Sequence, residues 1–185
     1  MTIRPALVAC ACVLGLAVAT AQQPPVPAAP APVTPKNAKL MEQMARVFPG
    51  AQGFSAKQGD PPHFVAFAND ASGKPAPIGY VYWTTELEPL ERGYDGPIKM
   101  LVGMDMKGVL TGLMVVEHHE PYGNFSVETP GFANQFKGKS IRDSFKVGVD
   151  VDAITRATIT VTSAARAVKN ASRRIARQYL PAPGK

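Results

Sequence analysis

Ile98-Lys99-Met100-Leu101-Val102-Gly103-Met104, then a turn at Lys107-Gly108, then Val109-Leu110-Thr111-Gly112-Leu113-Met114-Val115-Val116-Glu117-His118 read as two strands folded into a hairpin. Two more strand-like segments precede it, His63 to Ala68 and Ile78 to Thr85, with the turn cluster Asn69-Asp70-Ala71-Ser72-Gly73 between them. Before these, Leu40, Met41, Met44, Val47 and Phe48 recur at helical spacing, behind Asn37 as N-cap and ahead of the breaker Pro49-Gly50. After the hairpin, Gly131 to Lys139 holds a short helix with Phe132 and Phe136 on one face. Thr162 to Leu180 is a long helix ended by Pro181, with Ala164, Ala167, Val168, Ala171, Ile175 and Leu180 as its apolar stripe. Strands do not alternate with helices, which disfavours a parallel sheet. The order predicts an α+β fold, an antiparallel sheet packed against an N-terminal and a C-terminal helix.

The chain has 185 residues, 45% of them hydrophobic, which suits one domain with a core of its own. Its first 21 residues have the form of a secretory signal: Arg4, an apolar run from Ala6 to Val18, and the small-x-small site Ala19-Thr20-Ala21. The run falls short of the ~20 apolar residues of a membrane span, so a retained anchor is the lesser reading. Residues 22–36, nearly all Pro, Ala, Gln and Val, read as a tether, residues 37–181 as the domain, and 182–185 as a tail. Both cysteines, Cys10 and Cys12, fall in the signal, so the mature part offers no thiolate for a disulfide, metal or cluster. Any redox chemistry then needs a borrowed cofactor.

The net charge is +6, and no Asp or Glu occurs between Arg156 and Lys185. Two readings stand for that basic stretch, a solvated helix face or a surface for an anion or acidic redox partner. Nucleic acid is not expected, because the aromatic residues of a stacking platform are missing. His118-His119 does not make a metal site, since neighbours on a strand point to opposite faces. The serines carry no hydrolase signature and no Gly-rich phosphate loop occurs. Met100, Met104, Met106 and Met114 suit core filling better than copper. On the strand through Tyr80, Tyr82 and Trp83, alternation puts the tyrosines on one face and the tryptophan on the other.

The chemistry concentrates in Asp152-Ala153-Ile154-Thr155-Arg156-Ala157-Thr158-Ile159, which runs into the long basic helix. Unpaired N–H groups and the dipole at a helix start favour an anion there. Threonines at alternate positions also suit a strand, and Thr162 or Ser163 also suits a helix cap.

This run resembles the Asp-x-x-Ser/Thr-Gly-Ala-Thr signature of periplasmic FMN-binding domains, whose last threonine carries FMN through a phosphoester. Other blocks are similar to the same family. Val47-Phe48-Pro49-Gly50-Ala51 resembles the end of the family's opening helix, and Gly93-Tyr94-Asp95-Gly96-Pro97-Ile98 and Val116-Glu117-His118-His119-Glu120-Pro121 resemble the periplasmic domain of the nitrous-oxide-reduction regulator and its nitrite-reduction relative. Glu128-Thr129-Pro130-Gly131-Phe132 and Gln135-Phe136-Lys137-Gly138-Lys139-Ser140 resemble flavin subunits of the Rnf complex and of the sodium-pumping NADH:quinone oxidoreductase.

The resemblance implies a periplasmic electron carrier, flavinylated by a magnesium-dependent flavin transferase with FAD as donor, and serving membrane or periplasmic redox partners. It makes Thr158 the attachment residue, with Asp152 and Ala157 completing the motif and Thr155 beside the phosphate. Tyr94, His118, Glu120, Glu128 and Thr129 become candidates to line the ring pocket. Arg156 departs from the family's glycine. An arginine there requires either an ordinary φ or strain of order 1–3 kcal/mol, and its guanidinium can bond phosphate in return. The rival reading is a non-flavinylated accessory module of a periplasmic reductase; a third is a non-covalent FMN binder.

Overall fold

The computed structural model describes residues 38–180; the signal, the tether, the Asn37 cap, Pro181 and the tail lie outside the described residues. Helix α1 (Ala38–Val47) leads into strands β1 (Gly53–Phe54), β2 (Phe64–Asn69) and β3 (Pro75–Trp83), a one-turn helix α2 (Thr84–Leu87), and strands β4 (Lys99–Asp105) and β5 (Leu110–Glu117). A short helix α3 (Pro130–Asn134) and the long α4 (Thr158–Tyr179) follow. The five strands form an antiparallel meander in the order β1-β2-β3-β4-β5, so the α+β reading holds.

The Met100-Leu101-Val102 run is apolar without a break because both faces of the sheet are covered. On one face Val65, Tyr80, Tyr82, Met100, Val102 and Met104 join the core built by α3 and α4. On the other, Phe64, Ala66, Val81, Trp83 and Leu101 join Met44, Val47 and Phe48 of α1 and its end. Tyr80 and Tyr82 therefore face α4, Trp83 faces α1, and all three are core. Burying a side chain such as Ile175, fully enclosed in α4, contributes about 1.5–3 kcal/mol.

Two glycines let α1 seat. Gly103 and Gly112 are cross-strand partners, and a Cβ on either would lie 2.5 or 2.8 Å from the Val47 carbonyl oxygen. Thr111 Oγ1 donates to that same oxygen at 2.6 Å, so the end of α1 is fixed by contact and by hydrogen bond.

Helix α4 starts at Thr158, four positions before the expected Thr162. Local signals pointed to the later start because β-branched Thr158, Ile159, Thr160 and Thr162 read as strand. Tertiary contacts decide otherwise: Thr160 and Ser163 face inward and are buried, so they extend the helix's packed face by a turn. The basic character of α4 is also structural in large part. Arg166 makes a paired contact with Glu91 at 2.7 Å to each oxygen. Arg173 donates to the carbonyls of Ile141 and Asp143 at 2.8 and 3.0 Å, and Arg174 to that of Leu87 at 2.7 Å. Three arginines tie α2 and two loops to the helix.

Candidate cofactor cleft at the start of the last helix

Ile154 to Ala157 forms a tight turn in which the Ala157 N–H donates to the Ile154 carbonyl at 3.0 Å. The turn needs a left-handed third residue, and Arg156 supplies it at φ 67°. Of the two conformations open to an arginine here, the chain adopts the strained one. The turn delivers Ala157 as the N-cap of α4, and that cap makes no side-chain hydrogen bond. Alanine is a poor cap, weaker than Ser or Asn by ~0.5–2 kcal/mol. The N–H groups of Thr158, Ile159 and Thr160 thus have no acceptor among the described residues, and they open on a cleft.

That cleft has a volume of about 530 Å³ and is lined by Tyr94, Pro121, Tyr122, Arg156, Ala157, Thr158, Ile159 and Thr160. Its size falls in the range typical of small-molecule sites. Its mouth is apolar and open: Tyr94, Tyr122 and Ile159 are all exposed, and Phe125 packs on Tyr122 with ring centroids 5.4 Å apart. A phosphate fits the donor set of the first turn, with the Arg156 side chain on the same cleft, and an aromatic-walled mouth suits a planar ring system.

Beneath the cleft Glu120 is buried. Its carboxylate accepts the Tyr94 and Asp95 N–H groups at 2.9 and 3.0 Å and the Thr160 hydroxyl. The Glu120 N–H in turn donates to His118 Nδ1 at 3.0 Å, so the His118 proton sits on Nε2, which donates to Glu128 at 2.8 Å. A second tie holds the Tyr94 loop: Glu91 accepts from Arg166 and, at 3.0 Å, from Ser163 Oγ. The Arg166 guanidinium holds the Glu91 carboxyl below its ordinary value; partial burial opposes this and Ser163 adds to it.

Of the residues singled out in the sequence, Tyr94, Arg156, Ala157 and Thr158 converge on the cleft and Glu120 underlies it. His118, Glu128 and Thr129 line a different groove of about 850 Å³, between β5, α3 and Arg46 of α1. Thr129 there caps α3, its Oγ1 accepting the Phe132 N–H at 3.2 Å. Asp152 and Thr155 are exposed, and the Asp152 N–H donates to Gln135 Oε1 at 2.7 Å. Pro121 and Tyr122 join the cleft without having been foreseen, as do Glu91 and Arg166 in its support, whereas Ile159, Thr160 and Ser163 lie in the stretch already read as favouring an anion. Tyr122 directly follows the Val116-to-Pro121 block, and the remaining partners meet only through folding.

Residues 93–173, which contain the Tyr94 loop, Glu120, the turn and most of α4, match the FMN-binding domain family. That match agrees with the resemblance carried by the Asp152-to-Thr158 run, over this stretch of the chain. The chain is also similar to the G component of the ion-translocating oxidoreductase complex of Yersinia pestis, 37% identical over 43% of each chain. The corresponding Escherichia coli protein is 37% identical over 49% of this chain and 48% of its own length. The Photorhabdus laumondii one is 39% identical over 42% of each. The chain spans less than half the length of these curated relatives. No helix among the described residues is long and apolar enough to cross a membrane.

Proposed function

We propose that this chain is a periplasmic electron-transfer flavoprotein that holds FMN in the cleft at the start of α4, with the phosphate esterified to Thr158 Oγ. One observation carries the reading: three N–H groups without acceptors among the described residues, under an alanine cap, stand beside an exposed threonine within the stretch that matches the FMN-binding family. When bound, the flavin ring supplies the redox chemistry, taking electrons from one partner and passing them to another.

The chain's own residues bind and orient. Thr158, Ile159 and Thr160 N–H groups receive the phosphate, Arg156 offers a guanidinium to it, and Tyr94 and Tyr122 wall the ring. Among the threonines, Thr160 is buried and donates to Glu120, and neither Thr155 nor Thr162 lines the cleft. Thr158 alone is both exposed and on the cleft. Attachment forms a P–O bond from Thr158 Oγ to the FMN phosphorus and breaks the pyrophosphate bond of FAD. AMP leaves, the hydroxyl proton is released, and a separate flavin transferase catalyses the exchange. The names of the relatives, components of ion-translocating oxidoreductase complexes, support a membrane-associated redox partner.

The test is the intact mass of the secreted protein from a host with a flavin transferase, with peptide mapping. A gain of one FMN less one water on Thr158, lost in Thr158→Ala, is expected; covalent FMN retained in Thr158→Ala would overturn the assignment. The strained Arg156 favours the second reading, an accessory module without flavin, which predicts an unmodified mass and colourless protein. A non-covalent binder would instead release its flavin on denaturation.

A further inference from the structure

The Tyr94 loop and the first turn of α4 have no continuous backbone pairing, yet together they make the two sides of the cleft. The side chain of Glu120 joins them directly, beside the Glu91 tie to Ser163 and Arg166. One oxygen accepts the Asp95 N–H, and the other accepts both the Tyr94 N–H and the Thr160 hydroxyl. Two backbone N–H groups and one hydroxyl converge on it, a donor set that suits an ionised carboxylate. Gly93 is shaped to this contact, since a Cβ there would overlap Glu120 Oε1. The Glu120 backbone is fixed from the other side by His118, against whose ring Gly123 packs with no room for a Cβ.

We propose that Glu120 is the positioning residue of the cleft. Its carboxylate straps the Tyr94 wall to the first turn of α4 and places a fixed negative charge beside the cleft that would hold the ring. The inference rests on the FMN reading. A charge one hydrogen bond removed from Tyr94 and Thr160, both cleft residues, opposes the arrival of electrons on the ring, so it lowers the reduction potential. Electrons then leave the site more readily than they would from a neutral one.

The experiment compares the full, flavin-loaded wild-type chain with Glu120→Gln, which removes charge and keeps shape, and with Thr160→Val, which cuts one tie and keeps the charge. Each is compared as its covalently loaded fraction, identified first by the mass gain of one FMN less one water. Glu120→Gln should raise the midpoint potential by about tenfold in the two-electron equilibrium, about 30 mV, whereas Thr160→Val should leave it near the wild-type value. Both variants should change the flavin fluorescence yield, because the Tyr94 wall is released. Equal potentials in loaded wild type and Glu120→Gln overturn the electrostatic role, and unchanged fluorescence in both variants overturns the strap. Wild-type protein without flavin marks failure of the FMN reading instead. The strap is then decided on the unloaded chain by amide hydrogen exchange at Tyr94 and Asp95. Exchange about tenfold faster in Glu120→Gln supports it, and unchanged rates reject it.

Discussion

The hydroxyl of Thr160 donates to the carboxylate of Glu120, 40 positions earlier in the chain, and this contact brings the start of α4 against the loop that carries Tyr94. Together with the Glu91 contacts to Ser163 and Arg166 it ties the two sides of the cleft, and it helps hold the first turn of α4, whose threonines have little helix preference of their own.

Arg156→Gly should stabilise the protein. Left-handed backbone costs an arginine ~1–2 kcal/mol, while glycine's extra freedom in the unfolded chain returns ~0.5–1 of that. A rise in melting temperature of about 1–3 °C is expected by scanning calorimetry. Arg156→Val, β-branched at φ 67°, should lower it.

Gly93→Ala should act in the opposite direction. The added Cβ overlaps the Glu120 carboxylate, so either the loop or Glu120 must move, at a cost of about 1–3 kcal/mol. Urea unfolding should show the lower midpoint, and an unchanged midpoint would mean that the loop is not held as described.

Breaking the Glu91–Arg166 pair should cost about 1 kcal/mol, kept small because Arg166 is largely exposed. The Glu91 carboxyl is depressed below its ordinary 4.5, so its contribution is present above that pH and is lost as pH falls through the lower folded-state value. In a comparison of stability against pH, Glu91→Gln should be less stable than wild type at neutral pH and should approach it in acid.

His63 gives a second acid dependence. It is buried between Tyr80 and Tyr179, with ring centroids at 5.2 and 4.3 Å. Burial lowers its pKa from 6.5, opposed by the hydrogen bond to the Pro61 carbonyl. The unfolded chain therefore binds the proton more readily. Stability is full above pH 6.5 and declines as pH falls from there through the folded-state value. His63→Gln should flatten the melting-temperature profile across that window.

The meander was legible because strand segments and turn residues are local signals. His63 to Ala68, Ile78 to Thr85 and both hairpin arms fall on β2 to β5 with shifts of a few residues at their ends. The later start expected for α4 came from reading Thr158 to Thr162 by propensity, where burial of Thr160 and Ser163 prevails. The division of the candidate site was not legible at all. His118 and Glu120 are two residues apart, yet one lines the groove beside β5 and the other underlies the cleft, because the chain leaves the sheet after Glu117.

The sequence alone determined the α+β class, the antiparallel hairpin and the motif ending at Thr158, since each rests on periodicity, turn chemistry or a short ordered run of residues. Tertiary structure alone decided that Arg156 takes a left-handed turn, that the arginines of α4 hold α2 and two loops, and that Glu120 ties Tyr94 to Thr160. Those are contacts between segments up to about 90 positions apart. Their energies depend on burial and on which donors meet which acceptors, and neither is written in any local stretch of the chain.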